Sequence, residues 1–239
     1  MRSFKGLFSK LYDIKLKRLP GNAKKYALSQ VEEQEIEELN GKKIIFLGSS
    51  VTYGASSKGV SFVDYIGKRN HIKIIKEAVS GTTLVDESAD SYISRMKKIK
   101  EDDADIFICQ LSTNDATQKK EMGTVGESKN MCSFDTKTVA GAIEYIICYA
   151  KHTWDCPIMF YTNPKYDSDN YKKMVRLLQK IQKKWDIAII DLWNDDDFNV
   201  LTREERFLYM ADPIHPTQAG YLKWWTPYIE GKIVEYLAE

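Results

Sequence analysis

The chain has 239 residues, 43% of them hydrophobic and 29% charged, with 35 Lys and Arg against 34 Asp and Glu. That is the composition of an ordinary globular protein long enough to bury one full core. The near-zero net charge of +1 excludes a partner recognised by bulk charge, nucleic acid first of all.

The first 30 residues carry eight Lys and Arg and a single acid, Asp13. Phe4, Leu7, Phe8, Leu11 and Tyr12 recur at helical spacing, so a basic face alternates with an apolar one until Pro20-Gly21 breaks the pattern. Residues 31–40 reverse the charge and stop at Asn40-Gly41. The reading is a helical extension over 1–40 and an α/β domain over 41–239. The apolar face of the extension needs cover. Docking on the body or pairing with another copy of the chain is favoured over an anionic membrane surface, because the face is short.

From Lys43 the rhythm is strand, loop, helix, repeated. Ile44–Leu47 is a buried strand, Ser61–Arg69 a helix, Ile72–Val79 a strand and Ser91–Lys100 a helix. Asp105–Leu111 is the third strand. Asp135, as N-cap, opens a long helix to Lys151. Pro157–Thr162 is the fourth strand, Asp169–Lys184 a helix and Ile187–Asp191 the fifth strand. Pro216 opens a last helix to Leu237. Short apolar strands alternating with helices predict a three-layer, doubly wound parallel sheet of about five strands in the order 2-1-3-4-5. Chemistry in such sheets sits beyond the carboxyl ends of the strands.

Four segments there stand out. Gly48-Ser49-Ser50-Val51-Thr52-Tyr53-Gly54 follows strand one, Ser80-Gly81-Thr82-Thr83 strand two and Ser112-Thr113-Asn114-Asp115 strand three; Asp212-Pro213-Ile214-His215-Pro216 comes after strand five. Each alone is a set of turn residues. Together they suit acyl transfer. A serine hydroxyl needs a base to take its proton, and a histidine serves when a carboxylate fixes its tautomer. Asp212 and His215, three residues apart, can form that pair for Ser50, or for Ser49; the position relative to Gly48 and Thr52 favours Ser50. The backbone N–H groups of Ser50 and Gly81 and the side-chain amide of Asn114 are candidate donors to the oxyanion. Asp115 is read as a residue that ties the loop.

These four segments, in this order, resemble the four blocks of the SGNH hydrolases, or GDSL esterases and lipases, named for the Ser, Gly, Asn and His that fall here on Ser50, Gly81, Asn114 and His215. The resemblance covers about residues 43 to 235. It implies a flavodoxin-like fold and ester hydrolysis with no metal and no organic cofactor. Two positions depart from the family pattern. Ser49 replaces the aspartate of G-D-S-L, which is not a triad member. Ser112 replaces the glycine of G-x-N-D and adds a hydroxymethyl group near the pocket floor. No G-x-S-x-G, G-x-G-x-x-G or P-loop pattern is present.

The expected substrate is a small molecule or carbohydrate carrying an acyl ester, O-acetyl among them. An acyltransferase with the same triad and a non-catalytic module on the same fold are the alternatives. Tyr53 and Asn163, at strand ends, are candidates for substrate contact. The long polar loop Thr117–Phe134 is a candidate lid or binding loop. His71 and His152 read as structural. Cys109, Cys132, Cys148 and Cys156 form no C-x-x-C pair and read as reduced thiols. No run approaches the roughly 18 apolar residues of a membrane span, and Met1–Lys10 lacks the apolar core of a secretory signal, so the expected location is cytoplasmic.

Overall fold

The computed structural model describes residues 16–34 and 36–238. The apolar face expected at Phe4, Leu7, Phe8, Leu11 and Tyr12 lies outside the described residues.

Five strands form one parallel sheet: β1 (Lys43–Gly48), β2 (Lys73–Ala78), β3 (Ile106–Gln110), β4 (Ile158–Tyr161) and β5 (Ala188–Ile190), in the order β2-β1-β3-β4-β5. This is the order read from the sequence. Successive strand side chains point to opposite faces, so continuous apolar strands require cover on both. Ile45 and Leu47 of β1 pack with Phe107 and Cys109 of β3 in one core, beneath helices at Tyr92–Met96, Val139–Thr153 and Asp169–Trp185. Ile44 and Phe46 pack with Ile106 and Ile108 in the other, beneath Phe62–Asn70 and Thr226–Leu237. Each fully buried side chain of this size stabilises the fold by roughly 1.5–3 kcal/mol. β2 is an edge strand, and Lys73, Lys76 and Glu77 on it discourage pairing with another chain.

Local signals set most helix starts. Ser61 and Asp64 make a reciprocal capping box at Phe62–Asn70. Ser91 caps Tyr92–Met96, and Ser168 caps Asp169–Trp185. Two expectations need correction. Thr138, not Asp135, caps the long helix: the Thr138 hydroxyl accepts from the Gly141 N–H at 3.2 Å, and the helix runs Val139–Thr153. Pro216 does not open the last helix. It pairs in an antiparallel bridge with Met210, and Thr217 is the cap before Gln218. The helix then passes through a π-turn at Tyr221–Trp225 before Thr226–Leu237. That turn lets Trp225 pack on Phe62 and Tyr161 while Trp224 stacks on Phe198.

Residues 20–30 form three short 3-10 turns that dock on the body. Asn22 is buried; its amide nitrogen donates to the Leu16 carbonyl at 2.9 Å and the Ser56 carbonyl at 2.8 Å, and its oxygen accepts from the Gln218 N–H at 2.9 Å. The Tyr65 hydroxyl donates to the Tyr26 carbonyl at 2.6 Å.

Candidate active site

The turn that carries Ser50 is built by tight packing under it. β1 ends at Gly48, and a four-residue helix, α1 (Ser50–Tyr53), starts at once. A Cβ at Gly48 would lie 1.7 Å from Thr52 Oγ1 and 2.9 Å from Gln110 Oε1. Gly48→Ala therefore cannot be accommodated without moving the turn. Overpacking of this kind costs about 1–3 kcal/mol or more. The expected result is a lowered Tm together with loss of fluorophosphonate labelling at Ser50. A variant with wild-type Tm and labelling would show that the close approach is not needed.

Beneath the turn sits a hydrogen-bonded chain that sequence reading missed. The Tyr161 and Thr52 hydroxyls lie 2.6 Å apart, Thr52 Oγ1 donates to Gln110 Oε1 at 2.8 Å, and the Ser49 N–H donates to the same oxygen at 2.9 Å. All four residues are buried. Ser49 is thus turned inward, its hydroxyl 3.3 Å from Gln110 Oε1. Ser50 faces the other way. Its Oγ lies 2.8 Å from His215 Nε2. The only advance signal was a polar glutamine closing an apolar strand.

His215 is held from behind by Asp212. Nδ1 lies 3.0 Å from Oδ1 and 2.9 Å from Oδ2. Oδ1 also accepts the N–H groups of Ile214 at 2.8 Å and His215 at 2.9 Å, so the three-residue spacing closes a local turn around the carboxylate. Partial burial works against the charge on Asp212. The His215 ring and the two N–H groups outweigh it and hold the carboxyl below the usual carboxylate range.

The loops after β1, β2 and β3 are adjacent because the strands are, and polar side chains bind them together. Asn114, on α2 (Thr113–Thr117), donates through Nδ2 to the Thr82 carbonyl at 2.9 Å. An amide nitrogen carries two hydrogens, so the second stays available to a substrate oxygen. Ser112 is buried and caps α2, its hydroxyl accepting from the Asn114 N–H at 3.1 Å. Its hydroxymethyl group therefore orients Asn114 from below. Asp115 ties the loop as expected, accepting the N–H groups of Leu84 at 2.8 Å and Val85 at 3.1 Å. Burial pushes its carboxyl up, with the Ser112 hydroxyl and those N–H groups pulling the other way. Arg95, also buried, donates to the Gly48 carbonyl at 2.8 Å and to Thr82 Oγ1 at 3.1 Å, clamping the first two loops. Gly81 has a φ of +85° and open space where a Cβ would stand, leaving its N–H approachable.

The two candidate substrate contacts separate. Tyr53 is exposed at the rim beside Ser80. Asn163 is fully buried and donates to the Ile214 carbonyl at 3.2 Å, so it supports the histidine loop and does not face substrate. The loop 117–134 is also not a lid over Ser50. The Glu121 and Met122 carbonyls accept from the Val139 and Ala140 N–H groups, and the Ser128 carbonyl accepts from Lys184, so the loop is stitched to two helices. Among the described residues there is no group of three or more His, Cys, Asp or Glu that could hold a metal ion, and no helix long and apolar enough to cross a membrane.

Comparison with known proteins bears on the same residues. The model of the GDSL-like lipase/acylhydrolase family matches residues 46–223, from β1 to beyond His215. No curated protein sequence matches significantly. Solved structures similar to the chain include a protein from Lactobacillus plantarum, with 18% identity over 82% of this chain and 98% of that one and a TM-score of 0.69. They also include the inhibitor-bound aryl esterase of M. smegmatis, at 13% identity over 81% and 99% with a TM-score of 0.54. A family two carbohydrate esterase from Clostridium thermocellum, in complex with cellohexaose, has 14% identity over 84% of this chain and 66% of that one, with a TM-score of 0.54. At these identities the likenesses speak for the fold, while the family match spans most of the chain. The chain belongs to the GDSL-like lipase/acylhydrolase family and is a hydrolase of the SGNH type.

Proposed function

We propose that the protein is a serine ester hydrolase that cleaves acyl groups, acetyl among them, from small or carbohydrate alcohols through an acyl-enzyme. The observation that carries this reading is the continuous chain from Ser50 Oγ through His215 to Asp212. In the forward step Nε2 takes the Ser50 proton as Oγ bonds to the ester carbonyl carbon. The imidazolium then returns that proton to the leaving alcohol as the C–O bond breaks. Water repeats the sequence on the acyl-enzyme and releases the acid. Negative charge on the carbonyl oxygen meets the N–H groups of Ser50 and Gly81 and the second hydrogen of Asn114.

A panel of p-nitrophenyl esters and acetylated sugars, with wild type and Ser50→Ala side by side, tests the reading; equal turnover by the two proteins would overturn it. Asn114→Ala is expected to lower kcat by about 10²–10³ with little change in KM, the usual cost of one oxyanion donor. Because the same amide holds the Thr82 carbonyl, thermal unfolding is measured alongside. A folded variant with near wild-type kcat removes Asn114 from the oxyanion site.

A further inference from the structure

One cavity shares its walls with the nucleophile turn. It encloses ≈ 600 Å³ and is lined by Lys17, Tyr53, Ala55, Lys58, Gly59 and Ser80, among others. Tyr53 stands on α1, and the Ala55 N–H donates to the Ser50 carbonyl at 2.9 Å. Ser80 immediately precedes Gly81. A group held here is therefore a near neighbour of an ester carbonyl attacked by Ser50.

The lining is one-sided in charge. It contains two lysines and no carboxylate. Lys58 donates to the Asn22 carbonyl at 2.6 Å, which fixes its ammonium without neutralising it. An ammonium has three hydrogens, so that contact leaves two for a ligand. Lys17 reaches the cavity from the N-terminal segment. Lys76 lies 5.8 Å from the centre of the Tyr53 ring, but it is ion-paired with Asp64 and adds little net charge. Tyr53 is 46% exposed, a large apolar ring left open beside the two cations. A cleft lined by one sign of charge concentrates ligands of the other sign.

We propose that this cavity is a subsite for the non-reacting part of an ester that carries a negative charge, a phosphate or carboxylate on a carbohydrate. Lys17 and Lys58 pair with the anion, and Tyr53 lies against the sugar ring. The proposal rests on the hydrolase reading of Ser50 and names the substrate class. It also gives the docked N-terminal segment a part in recognition, through Lys17.

The test uses the full chain and two readouts. In the first, kcat/KM is measured for an acetylated sugar phosphate and for the same acetylated sugar without phosphate. The ratio is expected to favour the phosphate by ten-fold or more in wild type, and to fall about ten-fold for each of Lys17→Gln and Lys58→Gln, the usual worth of a hydrogen bond to a charged group. In the second, calorimetry follows glucose 6-phosphate and glucose binding to Ser50→Ala, where no turnover occurs. Tighter binding of the phosphate, lost in Ser50→Ala/Lys17→Gln/Lys58→Gln, supports the subsite even if wild type hydrolyses no ester, an outcome that would sink only the hydrolase reading. Equal binding of the two sugars, or binding indifferent to both lysines, overturns the proposal. So does binding to phosphatidylglycerol vesicles without binding of the soluble phosphate, which would assign the cavity to a lipid headgroup.

Discussion

Ser50→Ala is expected to lower kcat by about 10⁴–10⁶, the range seen when a triad serine is removed and only binding and oxyanion stabilisation remain. The effect is chemical and not structural. Ser50 is 7% exposed, its hydroxyl bonds to His215, and the inward support of the turn comes from Ser49, Thr52 and Gln110, which the substitution leaves in place. Alanine also suits the first turn of a helix. Tm is therefore expected to move little while a fluorophosphonate adduct, mapped by mass spectrometry to Ser50 in wild type, disappears. Ser49→Ala is the internal control: its hydroxyl points to Gln110, so labelling at Ser50 should persist. An adduct on Ser49, or a Ser50→Ala protein keeping more than a few per cent of turnover, would defeat the assignment.

For Asp212→Asn the expected loss in kcat is about 10²–10⁴. The upper end applies to a buried triad aspartate whose replacement leaves the histidine in the wrong tautomer. Here the Asp212 side chain is 45% exposed, and solvent screens part of its effect on the imidazolium. The amide oxygen can still accept the Ile214 and His215 N–H groups, so the loop stays closed and the fold is unchanged. Its NH₂ group, turned to Nδ1, forces the proton to Nε2, where it can no longer receive one from Ser50. Steady-state kinetics on a variant of wild-type Tm checks this. A kcat within threefold of wild type would mean that water or backbone, and not Asp212, sets the tautomer.

The sheet was legible because each strand is a short apolar run bounded by breakers, and parallel pairing leaves few orders for five such units. The candidate residues were legible because Ser50 and Asn114 closely follow β1 and β3, while Asp212 and His215 share one local turn well past β5. The long helix shows a signal available and misread: Asp135 and Thr138 can both cap, but only Thr138 directly precedes the apolar run that begins at Val139. The π-turn at Tyr221–Trp225 left no such trace. It inserts a residue so that two adjacent tryptophans reach different neighbours, and those neighbours come from β4 and from around Phe198. Thr52 and Tyr161 were equally silent, and Gln110 showed only as a polar residue closing an apolar strand. Their roles exist only once β1, β3 and β4 lie side by side. Asn163 was placed at the right strand end but on the wrong side of it, since sequence position does not say which side of a crevice wall a side chain occupies.

Asn22 joins residues that are made far apart in time. Its side chain closes on Gln218, 196 residues later and just past His215. At usual rates of synthesis the first waits about 10–40 s for the second. Until then the segment around Asn22 can settle only against earlier residues such as Ser56, Lys58 and Tyr65. Ser50 waits almost as long for His215, 165 residues on. A growing chain therefore carries the Ser50 hydroxyl without its histidine partner while those 165 residues are added. His215 and Gln218 emerge three residues apart, so the Ser50 hydroxyl gains its partner and the N-terminal strap its anchor at nearly the same moment.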